Sequence, residues 1–244
     1  MNKNTGIGTR CVIITAQQAR REISFREIRP GDFIVCADGG YRFAREAGIV
    51  PDAIVGDFDS CEMPTPGETD AEIVALPREK NETDTLACVR FGMSKGYEDF
   101  LMIGGLTGRA DHTFANIQTL SYLTDLQCTA EIVDGWNRAR MLDGIKKNLY
   151  QFMNEAEQGT ETTDDWNQLT LPYRKDAYFS VFSYDEVSTG ISIRHARYPL
   201  EDARLTQSYP IGVSNAFLEN EDAEISVRRG RLLIMISEEG TADL

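Results

Sequence analysis

Histidine is scarce and cysteine unpaired in this 244-residue sequence, which holds 2 His, 5 Cys and no Cys-x-x-Cys. A zinc site of His and Cys therefore lacks ligands. The odd set of thiols (Cys11, Cys36, Cys61, Cys88, Cys128), several inside apolar runs, points to reduced and mostly buried cysteines rather than a disulfide framework. Basic residues are few beside acidic ones, 25 against 39, for a net charge of −14. That balance argues against duplex nucleic acid or an anionic membrane as partner, because both demand a basic face. An anionic substrate would need a bound cation. Long apolar runs are missing too: the longest, such as residues 33–37 and 232–236, fall far short of the ~20 residues that cross a bilayer. The polar start MNKNTGIGTR has no signal-peptide apolar region, so a cytoplasmic chain is expected.

What is present suffices for a folded core, with 41% apolar and 26% charged residues. The length suits one large domain or two modest ones, and a change of pattern favours two. Over residues 1–135, short runs that are apolar throughout (11–15, 33–37, 53–56, 72–76, 99–103, 129–133) alternate with helix-like stretches. GGYRFAREAG reads as a helix ending at Gly48. Thr83 caps a second helix running to about Lys95 with Gly96 as its stop, and a third covers about 110–123. Strands apolar on both sides, separated by helices, imply a doubly wound α/β domain whose parallel sheet is covered on both faces. Over 136–244 the pattern turns to short alternating segments at 178–183, 190–195, 223–228 and 231–236, with Arg229-Gly230 as a hairpin turn between the last two. These suggest a small antiparallel sandwich or barrel, and a polar excursion is expected at about 146–170.

Ligands of open α/β sheets bind at the carboxyl ends of the strands, so the residues following each strand are the ones that converge. The second strand ends in Ala37-Asp38-Gly39-Gly40, the third in Gly56-Asp57-Phe58-Asp59-Ser60, and the fifth in Gly104-Gly105-Leu106-Thr107-Gly108-Arg109-Ala110-Asp111-His112. The fourth leads through Lys80-Asn81-Glu82 to Thr83-Asp84. In an extended stretch Asp57 and Asp59 point the same way, which suits a hard cation such as Mg²⁺, and Asp38 and Asp84 complete the set. The glycine-rich turn offers open backbone N–H groups at a helix start, and Arg109 adds a fork of donors, both fit for phosphate. Singly, each feature has a plainer account: Asp57 and Asp59 as turn residues, Thr83-Asp84 as a helix start, Gly104-Gly105 as a tight loop, His112 as a structural hydrogen-bonder. Four of them at one sheet edge point instead to work on a metal and phosphate.

In order and approximate spacing these motifs resemble those of thiamine pyrophosphokinases, and the later Gly212-Val213-Ser214-Asn215 is similar to that family's C-terminal Gly-x-Ser-Asn. The resemblance implies a Rossmann-like catalytic domain followed by a thiamine-binding, dimerising β-sandwich, and transfer of the diphosphoryl group of ATP to the hydroxyl of thiamine, giving thiamine diphosphate and AMP. It implies a homodimer sharing its active site across the interface. It also implies Mg²⁺ at Asp38, Asp57, Asp59 and Asp84. Phosphates would be held by Gly104, Gly105, Gly108, Arg109, Lys80, Thr83 and His112, Asp111 would stand by the reacting groups, and Ser214 and Asn215 would contact thiamine. Asp59 or Asp111 would take the hydroxyl proton. The sequence departs from the family's pattern at Asn81 and Ala216, where acidic residues are common, and in the length of its polar excursion. The alternatives are a Mg²⁺-dependent phosphotransferase or phosphohydrolase acting on another small alcohol or nucleotide, and a non-catalytic sensor. A sensor would predict a degraded acidic cluster, whereas Asp57, Asp59, Asp84 and Asp111 are all present.

Overall fold

The apolar runs of the first half become strands because each is short and bounded by turn residues; the inner ones are buried on both sides, while the edge run at 72–75 is largely exposed. A computed structural model describes residues 10–58, 64–65, 67–77, 79, 81–144 and 167–238. The chain divides into two compact units between Arg138 and Ala139. In the first, strands β1 (Cys11–Ile14), β2 (Phe33–Ala37), β3 (Ala53–Gly56), β4 (Glu72–Ala75), β5 (Asp99–Ile103) and β6 (Thr129–Asp134) form parallel pairs in the order β6-β5-β1-β2-β3-β4. The order reverses at β1, which pairs with β2 on one side and β5 on the other, so the chain leaves β1 toward one edge of the sheet and β5 toward the other, the switch point at which open α/β sheets bind ligands.

Both faces of this sheet are covered. One face offers Val12, Ile14, Cys36, Ile54, Leu101, Ile103 and Val133 to Tyr41 and Ala44 of α2 (Gly40–Glu46). On the other, α3 (Asp84–Ser94) approaches so closely that a Cβ at Gly92 would stand 2.8 Å from the Cys11 Sγ and 2.9 Å from the Phe100 ring. The Thr83 hydroxyl caps α3 by accepting the Leu86 N–H at 3.2 Å, and Gly96 ends the turn beyond it at φ +94°. A one-turn helix α1 (Arg21–Ser24) follows β1, and α4 (Ala110–Asp125) joins β5 to β6. Cys11, Cys36 and Cys88 are buried free thiols and Cys128 is partly buried; Cys61 lies outside the described residues.

The second unit holds β7 (Asn137–Asp143) from Ala139 onward, β8 (Asn167–Leu171), β9 (Ala177–Ser183), β10 (Val187–Arg194), β11 (Leu200–Thr206), β12 (Asn215–Ala216), β13 (Ala223–Val227) and β14 (Arg231–Glu238). Neighbours run β12-β9-β14-β7 in one layer and β11-β10-β13-β8 in the other. Alternate residues such as Phe179 and Val181 of β9, Ile225 and Val227 of β13, and Leu232 and Ile234 of β14 point inward to one apolar cluster. Because the strands form two separate layers rather than one closed sheet, this is a sandwich and not a barrel. Two expectations change here. Arg229-Gly230 does not close a hairpin: β13 pairs with β10 and β8 while β14 pairs with β9, so the turn carries the chain from one layer to the other. The close of the expected polar excursion is strand, since Asn167, Gln168, Leu169 and Thr170 pair with β13; residues 145–166 lie outside the described residues.

Candidate active site

At the carboxyl edge of the parallel sheet, Asp38 follows β2 with φ +43°, a left-handed conformation that Asp tolerates better than most residues. Its N–H donates to the Val55 carbonyl at 2.9 Å, and it is 4% exposed. Gly56, the last residue of β3, is pressed against it: a Cβ there would come within 2.9 Å of the Asp38 Cα and Cβ. Gly56 thus lets the ends of β2 and β3 close up, placing half-buried Asp57 beside the β2 terminus. The expectation of an extended backbone through Asp57 and Asp59 is corrected: Phe58 between them has φ +55°. A bulky side chain is held in that costly region because Phe58 packs on the apolar cluster beneath the sheet. Asp84 stands half-buried in the first turn of α3. Asp59 and Lys80 lie outside the described residues, and among the described residues no three His, Cys, Asp or Glu side chains are grouped as metal ligands. The donor set is nonetheless all carboxylate oxygen, the chemistry a hard divalent cation takes.

The glycine-rich turn after β5 is shaped by what it touches. Gly104, Gly105 and Gly108 have φ +87°, +91° and +84°. A Cβ on Gly104 would meet the Gln17 carbonyl at 2.3 Å, one on Gly105 the Asn116 amide at 2.3 Å, and one on Gly108 the Gln17 side chain at 2.8 Å. The turn therefore lies directly on the segment leaving β1. There the Gln17 carbonyl accepts the Gly105 N–H at 2.7 Å and its side-chain oxygen accepts the Arg109 N–H at 3.2 Å, and the Gly104 N–H donates to the Val133 carbonyl at 2.8 Å, so the expectation of open N–H groups is corrected at Gly104 and Gly105. Thr15 supports Gln17, its hydroxyl donating to the Gln17 carbonyl at 3.0 Å. Gln17 and the buried Asp134 at the end of β6 escaped the sequence reading. Asp134 carried a usable signal, an acidic residue closing an apolar strand at the same edge. Gln17 carried none.

Arg109 precedes α4, whose 16 residues direct a positive end toward the turn. Its guanidinium forks onto Asp111, Nε to Oδ1 at 3.1 Å and Nη2 to Oδ2 at 2.6 Å, with both side chains about two-thirds exposed. The pair lowers the Asp111 carboxyl, chiefly through this hydrogen bond and further through the His112 N–H, and raises the Arg109 guanidinium. His112 is half-buried, with its N–H 2.9 Å from the Asp111 Oδ1.

In the second unit, Ser214 is exposed at φ +57° and its N–H donates to the Ser180 hydroxyl at 3.1 Å. Two residues earlier Gly212 lies so close to β9 that a Cβ would stand 1.9 Å from the Val181 carbonyl oxygen. Asn215 is 6% exposed and committed to the fold. Its Oδ1 accepts the N–H groups of Tyr198 at 3.0 Å and Ala216 at 2.9 Å, and its Nδ2 donates to the Tyr198 carbonyl at 2.8 Å. The Asn215 amide thus shapes the turn that carries Ser214.

Two family models match the chain in order: "Thiamin pyrophosphokinase, catalytic domain" over residues 26–132 and "Thiamin pyrophosphokinase, vitamin B1 binding domain" over 167–232. The chain belongs to the thiamine pyrophosphokinase family. A thiamine pyrophosphokinase of Bacillus subtilis (strain 168) is 26% identical over 195 residues, spanning 78% of this chain and 80% of that protein. The fold is shared with the crystal structure of the enzyme from Bacillus subtilis (TM-score 0.75, 18% identity, 94% of this chain and 99% of that one). It is shared also with that from Geobacillus thermodenitrificans (TM-score 0.73, 21% identity, 95% and 99%) and with yeast thiamin pyrophosphokinase (TM-score 0.68, 15% identity, 96% and 87%). The family's two parts fall on the parallel sheet and the sandwich described above.

Proposed function

We propose that this chain transfers the diphosphoryl group of ATP to the hydroxyl of thiamine, releasing AMP. The observation that carries the reading is the succession of the two family matches on a chain whose parallel sheet gathers aspartates and a glycine-rich turn at one edge. Asp38, Asp57, Asp59 and Asp84 supply the carboxylates for Mg²⁺, which when bound offsets charge on the β and γ phosphate oxygens. The Gly108 amide, carried on the tight turn that Gly104 and Gly105 permit, the start of α4, Lys80, Thr83 and His112 surround the phosphates, and Ser214 contacts thiamine.

Arg109 and Asp111 act as a pair. When the guanidinium turns from Asp111 to a phosphate, the carboxylate loses the partner that depresses its basicity, and it becomes a better acceptor for the thiamine hydroxyl proton. Attack on the β-phosphorus in line with departing AMP needs little covalent help, so positioning and charge carry most of the rate. A homodimer sharing the site, and a cytoplasmic location, belong to the same reading; among the described residues no helix is long and apolar enough to cross a membrane.

The test is to incubate purified protein with ATP, Mg²⁺ and thiamine and to resolve nucleotides and thiamine esters by chromatography. Equal amounts of AMP and thiamine diphosphate, both lost on chelation of the metal, are expected. ADP or free phosphate without a thiamine ester would mark a phosphotransferase or phosphohydrolase of another kind.

A further inference from the structure

Asp134 is fully buried, yet its partners among the described residues are two backbone N–H groups and one hydroxyl, not a cation. Its Oδ1 accepts the Ala19 N–H at 2.5 Å, in the segment leaving β1. Its Oδ2 accepts the Leu106 N–H at 2.9 Å and the Thr107 hydroxyl at 2.9 Å, in the glycine-rich turn leaving β5. A buried carboxylate without a counter-ion is costly, and joining two neutral turns for stability alone does not call for charge. The two turns it joins leave β1 and β5, the strands on either side of the sheet's switch point. Surrounding bonds act in the same sense: the Gly104 N–H donates to the Val133 carbonyl at 2.8 Å, and the Gly135 N–H to the hydroxyl of the buried Ser24 at 2.8 Å. The end of β6 is thereby tied to both turns.

We propose that Asp134 is a positioning residue for the phosphate donor: each of its oxygens holds one turn, and together they fix where the turn carries Gly108 and the start of α4 against the nucleotide phosphates. The inference rests on ATP being bound at this edge. Geometry makes it specific to a carboxylate. An asparagine has the same shape but one acceptor oxygen, so it can serve the Ala19 side or the Leu106 side and must set its NH₂ against an N–H on the other.

The test compares the full-length protein with Asp134→Asn, Thr107→Val and Thr107→Ser, using steady-state kinetics for both substrates, thermal melting, and amide hydrogen exchange without ligand. In a folded Asp134→Asn the KM for ATP should rise about tenfold or more while the KM for thiamine stays put, and the Ala19 and Leu106 amides should exchange faster than those of Val12 and Leu101. Thr107→Val should shift ATP in the same direction by less, with Thr107→Ser closer to wild type. A folded Asp134→Asn with wild-type ATP KM, or with both KM values raised alike, overturns the proposal. If Asp134→Asn does not fold, an unchanged ATP KM in Thr107→Val overturns it. If the wild-type protein makes no AMP from ATP and thiamine, the activity reading fails, and the exchange rates still decide whether Asp134 braces the two turns.

Discussion

Asp111 shows how one residue's chemistry is set two positions away. The Arg109 fork holds its carboxyl below the ordinary aspartate value of about 3.9, so any stability the pair contributes is present above that value and lost as pH falls through the lowered one. Near neutral pH the pair should be insensitive to pH. The Asp111 carboxyl, followed by NMR, is expected to titrate below 3.9, and at a higher pH in Arg109→Ala than in the wild type; equal midpoints in the two proteins would show that the fork does not persist in solution. Asp57 presents the contrasting case, because its charge is expected to matter chiefly for turnover. Asp57→Asn keeps volume and removes charge, so turnover should fall by at least about a hundredfold in a folded protein. Near-normal turnover would remove Asp57 from the metal set.

Among the elements, the turn leading into β12 separates two neighbours by role. Asn215 makes three hydrogen bonds inside the fold, and Asn215→Ala should destabilise the second unit by about 1–3 kcal/mol in denaturant unfolding. Ser214→Ala should leave stability alone and raise the KM for thiamine. What the sequence made legible follows from what each element buries. β1, β2, β3 and β5 are apolar throughout because a parallel sheet covers both their faces, and they were read to within a residue. β7 is written NRARMLD, with Arg138 and Arg140 on either side of its buried Ala139, and β11 is broken by register shifts against β10. Neither carries clean alternation, and both passed unread. Arg229-Gly230 misled because a turn's residue types do not say whether the next strand returns to its neighbour or crosses to the opposite layer. In the site, single residues at strand ends were legible, but the Asp134 brace was not, because it exists only once turns 28 and 115 residues distant meet one carboxylate.

At the scale of the whole molecule, the buried thiols set an alkaline limit. Burial pushes the Cys11 thiol up to about 12, with Asp52 and Asp32 adding to it, and burial raises Cys36 as well. A raised folded pKa means that this stability is complete below the unfolded thiol value of about 8.5 and declines as pH rises above it toward the folded values. The denaturation midpoint should fall above about pH 9, less steeply in a Cys11→Ala, Cys36→Ala double variant; parallel slopes would assign the decline to other groups. The strand order also sets a timetable for synthesis. The parallel sheet has all its strands by Asp134, whereas β14 is an interior strand of its layer, between β9 and β7. The sandwich therefore waits for Glu238 to leave the ribosome, and at about 5–20 residues per second the delay is roughly 5–20 s. During that interval the nascent chain carries a parallel sheet with all its strands and a half-built sandwich whose β9 still lacks its principal partner.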